Sequence, residues 1–310
     1  MAQKFRFGVQ MTNATPGMTW GETARRIEGL GFSALVMPDH FEDQLAVAPA
    51  LAAAAEATST LRLGALVFGN DYRHPVILAK DMATLDVLSN GRMEFGIGAG
   101  WMKTDYDAAG IDYERPGLRI ERMLESIEII QGLFGPDPVT FSGDHYSITN
   151  MNGMPKPVQS APPLLIGGGG KRMLTIAAQR ADIVGVTANL KAGEVGADAI
   201  ADITPARFDE KLEWVRAAAG DRMADIELSP LVMSTQVVDD REAAVEGTAA
   251  MFGFSVEDAS ATPILLIGSP DEIAEQLEER RERWGFSYIV VQGLDTAIAL
   301  EPVVAKLTGN

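Results

Sequence analysis

The sequence predicts an α/β fold: a single (β/α)8 TIM barrel spanning 1–310, with insertions at about 135–160 and 188–204. Three observations predict it. Short apolar runs alternate with helical patterns along nearly the whole chain, and that alternation means βαβ units around a parallel sheet. Eight such runs occur, and eight favour a closed barrel over an open sheet. The length of 310 residues suits a barrel of about 250 residues with insertions, although two domains of about 100–200 residues would also fill it.

Residues 5–11, FRFGVQM, are short, partly alternating and rich in strand formers. Trp20, Ala24, Ile27 and Leu30 then fall at helical spacing over 19–30, and Gly31 stops that helix. Ser33–Met37 reads as a buried strand closed by Pro38, Leu61–Phe68 as a strand and Val76–Leu88 as a helix. Strand and helix follow at Met93–Ile97 and Leu118–Phe134, at Pro163–Ile166 and Lys171–Ala181, and at Ile183–Val186 and Pro205–Ala219. Ile226–Val238 contains a strand before a helix at Arg241–Met251, and Ser287–Val291 precedes a last helix at Thr296–Leu307. Ser269-Pro270-Asp271-Glu272 supplies an N-cap serine, a proline at the first helical position and a glutamate at the third. The segment 135–160 breaks the rhythm with Pro136, Pro138 and a hairpin-like PVTFSGDHYSIT turning at Ser142-Gly143-Asp144. The small, Ala/Gly-rich stretch 188–204 reads as a mobile lid.

Composition bounds the function. With 43 acidic and 26 basic side chains the net charge is −17, which argues against nucleic acid or an anionic membrane as the main partner. The chain has no cysteine, which excludes disulfides, thiolate metal sites and cysteine nucleophiles and suits a reducing cytoplasm. The N-terminal MAQKFRFGVQ lacks an apolar signal core, and no apolar run is long enough to span a membrane. Neither HExxH nor GxSxG occurs, and three scattered histidines predict no metal site.

In a barrel, chemistry gathers at the C-terminal ends of the strands. After the second strand comes Pro38-Asp39-His40-Phe41. A histidine there serves proton transfer, with Asp39 beside it to orient neighbouring groups, or is a surface histidine at a loop start. His74-Pro75 fits a helix entry better than chemistry, and His145 in the hairpin reads as solvated. The alternate glycines of Gly96-Ile97-Gly98-Ala99-Gly100 leave room for a flat ring against the backbone, and Trp101 and Tyr106 follow that strand end. Gly167-Gly168-Gly169-Gly170-Lys171-Arg172 opens a helix. Exposed backbone N–H groups, a helix N-terminus and two cations make it a phosphate cradle; a flexible turn is the other reading.

Five segments in order, GFSALVMPDHF (31–41), LRLGALVFGNDYRHP (61–75), LSNGRMEFGIGAGWMKTDYDAAGI (88–111), PPLLIGGGGKRMLTIAAQRADIV (162–184) and LIGSPDEIAEQL with GFSYIVV (266–291), cover nearly the whole chain. Together they resemble the bacterial luciferase-like superfamily, and most of all its branch using the deazaflavin coenzyme F420. The resemblance implies a luciferase-like barrel holding the tricyclic ring at the strand ends, with His40 facing its reactive edge. It implies a non-proline cis peptide at Leu66-Val67, a pocket lined by Phe68, Gly69 and Asn70, a ring edge along Gly98, Ala99 and Gly100, and a phosphate held from Gly167 and Gly168 to Arg172. Two positions depart from members that oxidise sugar phosphates: Trp101 stands in place of a glutamate and Gln44 in place of a tryptophan. Trp101 suits an apolar or unsaturated substrate. Asp105-Tyr106 keeps a carboxylate near the mouth. The implied activity is F420-dependent hydride transfer to or from a small molecule. FMN-dependent monooxygenation is the alternative, and a non-catalytic cofactor-binding barrel the third reading. The apolar faces of Val76–Leu88 and Leu118–Phe134 serve a homodimer or pack on the barrel.

Overall fold

The computed structural model describes residues 3–310, so the first two residues of the N-terminal stretch read for a signal core lie outside the described residues. Thirteen strands occur among the described residues: β1 (Arg6–Gln10), β2 (Ala34–Met37), β3 (Arg62–Ala65), β4 (Phe68–Gly69), β5 (Met93–Gly98), β6 (Val139–Ser142), β7 (Ser147–Met151), β8 (Leu164–Gly168), β9 (Ile183–Val186), β10 (Glu227–Pro230), β11 (Ser234–Val237), β12 (Leu265–Gly268) and β13 (Tyr288–Gln292). Eight run in the order β10-β9-β8-β5-β3-β2-β1-β13, and the short β4 continues the line of β3 against β5. Every pairing in this sheet is parallel. Two bridges, Leu228 to Phe286 and Leu231 to Val290, join its outer strands. The sheet is therefore a nearly closed parallel barrel.

The helices are α1 (Trp20–Gly29), α2 (Val47–Ala57), α3 (Pro75–Leu88), α4 (Lys103–Ala109), α5 (Pro116–Phe134), α6 (Lys171–Arg180), α7 (Ala197–Ala201), α8 (Pro205–Ala219), α9 (Arg241–Phe252), α10 (Val256–Ala261), α11 (Pro270–Trp284), α12 (Leu294–Ala299) and α13 (Glu301–Leu307). The two-residue period of a strand divides the core. Ala34 and Val36 belong to a small cluster with Leu165, Ile183, Tyr288 and Val290, while Leu35 and Met37 join the large cluster with the helices. Both faces of β2 and β9 are buried, which is why these strands read as continuous apolar runs.

At the N-terminal ends of the strands the barrel holds a charged network. The Arg6 guanidinium donates to Glu227 at 2.6 Å and to Glu94 at 2.8 Å, Arg62 donates to Glu94 at 2.6 Å, and Arg6 lies 3.5 Å over the Tyr288 ring. Those four strands, β1, β3, β5 and β10, are thereby tied together away from the end that carries the chemistry.

The structure differs from the sequence reading in several elements. Ile226–Val238 holds two strands: β10 enters the barrel, whereas β11 pairs in parallel with β12 in a separate sheet. Helix α2 is missed because VAPALAAAAEA offers almost no polar contrast to reveal a period. The expected last helix breaks at Leu300 into α12 and α13. The insertion at 135–160 forms the antiparallel hairpin β6–β7, whose tip donates the N–H groups of Asp144, His145 and Tyr146 to Glu125. His145 is half-buried there, not solvated. The stretch 188–204 is anchored: the buried Lys211 ammonium donates to the Thr187 carbonyl at 2.7 Å and to the Asp202 carboxylate at 2.6 Å, and Asp202 also accepts from the Asn189 N–H.

Candidate functional site at the strand ends

The loop after β2 places His40 at the barrel mouth, with 18% of its side chain exposed. Helix α4, one turn beyond β5, turns Asp105 towards it, and His40 Nδ1 lies 2.6 Å from Asp105 Oδ2. An ionised carboxylate only accepts, so Nδ1 carries the proton and Nε2 is left for a bound molecule. The same carboxylate accepts from the Tyr72 hydroxyl at 3.2 Å and from the Phe41 N–H at 3.3 Å. It is 3% exposed, so this buried charge is satisfied by several donors at once. Burial first, and then the Asp105 charge, raise the Tyr72 hydroxyl well above its ordinary value, which keeps it a donor. Trp101 stands edge-on to the His40 ring, 5.6 Å between centroids.

Asp39 does not orient His40. Its carboxylate is bracketed by Arg73 at 2.6 and 3.0 Å and accepts the Gly69 N–H at 3.0 Å. It therefore ties the second strand end to the third, and the orienting carboxylate comes from 65 residues further along the chain. The Leu66–Val67 peptide between β3 and β4 is cis. Leu66 and Val67 are half-buried at the mouth, but Phe68, Gly69 and Asn70 are buried behind them and do not line an open pocket. Tyr106 is likewise no pocket wall: it is fully buried, and its hydroxyl donates to Asp71 at 3.0 Å. Gln44 turns back and donates to the Pro38 carbonyl at 2.8 Å.

The strand-five glycines serve close neighbours. A Cβ at Gly96 would sit 1.9 Å from the Ala65 carbonyl oxygen, and one at Gly98 would sit 2.7 Å from the Val67 side chain. Gly100 has φ +74°, and a Cβ there would fall 1.9 Å from the Tyr106 hydroxyl. The space these residues free is thus occupied by the Ala65 backbone, the Val67 side chain and Tyr106. Ala99 and Gly100 are half-buried at the mouth.

Gly167 and Gly168 end β8, and Gly170 is the N-cap of α6 with no side chain capping it. The first N–H groups of that helix are therefore free to meet an anion. Gly169 packs on the carbonyl end of Ala188, where a Cβ would come within 2.2 Å. Lys171 and Arg172 are exposed, and Arg172 donates to Glu121 at 3.2 Å. Beside them is a cation that the sequence reading passed over. Arg115, the N-cap of α5, lies with Arg172 over Gly117: their guanidinium nitrogens are 3.1 and 3.3 Å from where its Cβ would be. Helices α5 and α6 thus bring their N-termini and two guanidiniums together, while the Lys171 ammonium lies 5.8 Å from the Trp214 ring of α8.

The model of the family described as luciferase-like monooxygenase matches residues 4–255. The chain belongs to the luciferase-like monooxygenase family. Its members include oxidoreductases that use F420 and monooxygenases that use reduced FMN. This luciferase-like chain is 33% identical over 156 residues to the F420-dependent glucose-6-phosphate dehydrogenase of Amycolatopsis mediterranei (strain U-32), covering 48% of this chain and 47% of that one. It is 32% identical over 126 residues to the FMNH(2)-dependent dimethylsulfone monooxygenase of Pseudomonas fluorescens (strain Pf0-1), covering 41% of this chain and 34% of that one. The chain thus spans about half or less of the length of these two curated relatives. The fold matches the coenzyme F420 dependent tetrahydromethanopterin reductase of Methanopyrus kandleri with a TM-score of 0.77 at 20% identity, over 98% of this chain and 99% of that one. Among the described residues no helix is long and apolar enough to cross a membrane, and no cluster of side chains forms a metal site.

Proposed function

We propose that this luciferase-like barrel is an F420-dependent oxidoreductase that moves hydride between the deazaflavin C5 and a small apolar or unsaturated substrate. The observation that carries the reading is the His40–Asp105 contact at the mouth. The residues present fit the cofactor. An uncapped, glycine-led helix N-terminus with Arg172 and Arg115 beside it and Lys171 opening the helix suits a phosphate, and the half-buried Leu66, Val67, Ala99 and Gly100 make an apolar seat at the mouth.

When bound, F420 supplies the hydride or accepts it. The chain supplies the rest. Asp105 holds the imidazole by Nδ1, so Nε2 takes a proton from a substrate hydroxyl when the substrate is oxidised, or returns it when a carbonyl or alkene is reduced. Trp101 shields one side of the imidazole from water and gives the substrate an apolar wall. Asp39, locked to Arg73, sets the strand ends that carry His40 and Gly69. A homodimer through the exposed Ile77, Val87 and Leu88 of α3 belongs to this reading and is checked by sedimentation velocity.

FMN also ends in a phosphate, and a relative that uses FMNH(2) is nearly as similar over its matched part. Fluorescence titration of the purified protein with F420 and with FMN separates the two. Micromolar or tighter F420 binding with weak FMN binding is expected, followed by F420H2-dependent turnover without oxygen uptake. Preference for FMN with oxygen uptake overturns the proposal in favour of a monooxygenase. Binding without turnover across a broad substrate panel favours a non-catalytic binder.

A further inference from the structure

Helices α9, α10 and α11 border an open cleft of about 180 Å³ that shares no residue with the strand-end site, lined by Arg241, Ser260, Gln276, Glu279, Arg280 and Arg283 among others. Arg280 is 5% exposed, and its Nη1 has no hydrogen-bond partner. Its Nη2 reaches only the neutral Gln276 amide oxygen, at 3.3 Å. Arg241 also has only neutral acceptors: the Ser260 hydroxyl at 2.7 Å, the Ser260 carbonyl at 3.3 Å and the Ile267 carbonyl at 3.2 Å. Arg283, by contrast, is paired with Asp209 at 2.6 Å.

The acids nearby form no ion pair with the first two arginines, although Glu272 lies in the field of Arg241 and Glu279 in that of Arg280. Glu272 is spent on the Ser269 N–H and hydroxyl and Asp240 accepts from the Ala243 N–H; both, with Asp239 and Glu242, line an adjoining cleft that Arg241 and Ser260 also border, and Glu279 is exposed at the rim. Among the described residues neither Arg241 nor Arg280 has a carboxylate in ion-pair contact, in a chain that carries 43 acidic side chains against 26 basic ones. A buried charge is costly unless it is paired. Arg280 Nη1 is left without a partner and both guanidiniums meet neutral acceptors only, so an anion entering the cleft would find their charge unpaired.

We propose that this cleft binds a phosphate group carried by a small metabolite, held by Arg280 and Arg241 with Ser260 as a hydroxyl donor. Two adjacent cations match a dianion, and guanidinium matches phosphate oxygens in pairs. The cleft has room for about six waters at ~30 Å³ each and is smaller than the ~300 Å³ at which pockets begin to enclose a whole organic ligand. It takes the phosphate group and leaves the rest of the metabolite outside. Burial, and then the Arg241 charge, push Arg280 down to about 9, against the Glu279 charge, which raises it. A bound dianion offsets both of the first two effects. The proposal is independent of which cofactor occupies the strand ends.

The test is titration calorimetry with inorganic phosphate at fixed ionic strength, in an Arg172→Glu background that weakens the α6 cradle. Phosphate binds this background protein. Adding Arg280→Met weakens the binding by about tenfold or more, a difference of ~1.4 kcal/mol. Adding Ser260→Asp instead, which sets a carboxylate beside the two arginines, also abolishes binding and raises Tm in phosphate-free buffer. If Arg280→Met does not fold, the Ser260→Asp pair carries the test. No phosphate binding in the background, unchanged affinity in either double variant, or acetate binding as tightly as phosphate overturns the proposal.

Discussion

His40 owes its orientation to a carboxylate far along the chain, and that dependence separates the roles of three neighbouring residues. If Nε2 moves the proton, His40→Ala lowers kcat by about 10²–10⁴-fold, measured by single-turnover kinetics under the cofactor that binds. Asp105→Asn keeps the shape but no longer demands a proton on Nδ1, so kcat falls by about tenfold or more with KM little changed. Asp39→Asn is expected to act on folding instead, since Asp39 answers to Arg73 and Gly69. The sequence showed His40 at a strand end beside Asp39, and a second carboxylate, Asp105, near the mouth, but not which of the two would meet the ring. Consecutive residues in extended backbone project to opposite sides, and the partner arrives on α4 from beyond β5. Arg115 escaped notice for the same reason, because nothing local ties it to Arg172 across 57 residues.

At the scale of elements, strands with apolar runs and helices with strong contrast were legible, and Ala-rich or broken helices were not. Helix α1 ends beside a further device. The Glu28 carboxylate accepts the N–H groups of Ser59, Thr60 and Leu61, closing the turn that follows α2. Desolvation raises its pKa, but the hydrogen bonds from Thr60, Ser59 and Leu61 outweigh it and hold the group below its ordinary 4.5. A carboxylate lowered by folding stabilises the protein above its unfolded value, and that contribution is lost as pH falls through the folded one. Acid unfolding below 4.5 is therefore expected to be less steep in Glu28→Gln, followed by circular dichroism. In the loop after β5, Gly100→Ala meets both a positive φ and the Tyr106 hydroxyl, and is expected to cost about 1–3 kcal/mol, read as a lowered Tm.

For the whole molecule, barrel closure followed from a count of apolar runs, whereas the charged network within it did not. Arg6, Arg62, Glu94 and Glu227 lie on strands scattered through the chain, and each alone looks like an ordinary strand-end charge. Arg6→Met leaves Glu94 with only Arg62 and Glu227 without its partner, and is expected to cost about 3–5 kcal/mol by denaturant unfolding. Arg6→Lys is expected to recover only part of this, because an ammonium cannot reproduce the paired contacts to Glu227.

The glycines in and just after the fourth barrel strand set a boundary on how this barrel can diversify. Gly96, Gly98 and Gly100 are each closed off by a backbone oxygen, a valine or a tyrosine that has nowhere to go. In a saturation library these codons tolerate almost nothing, whatever selection is applied. New selectivity must enter through Trp101, Gln44 and the loops beyond them, where the side chains are only half-buried. A laboratory lineage adapting this barrel to another substrate would accumulate its first changes at those positions and leave the glycine track as it stands.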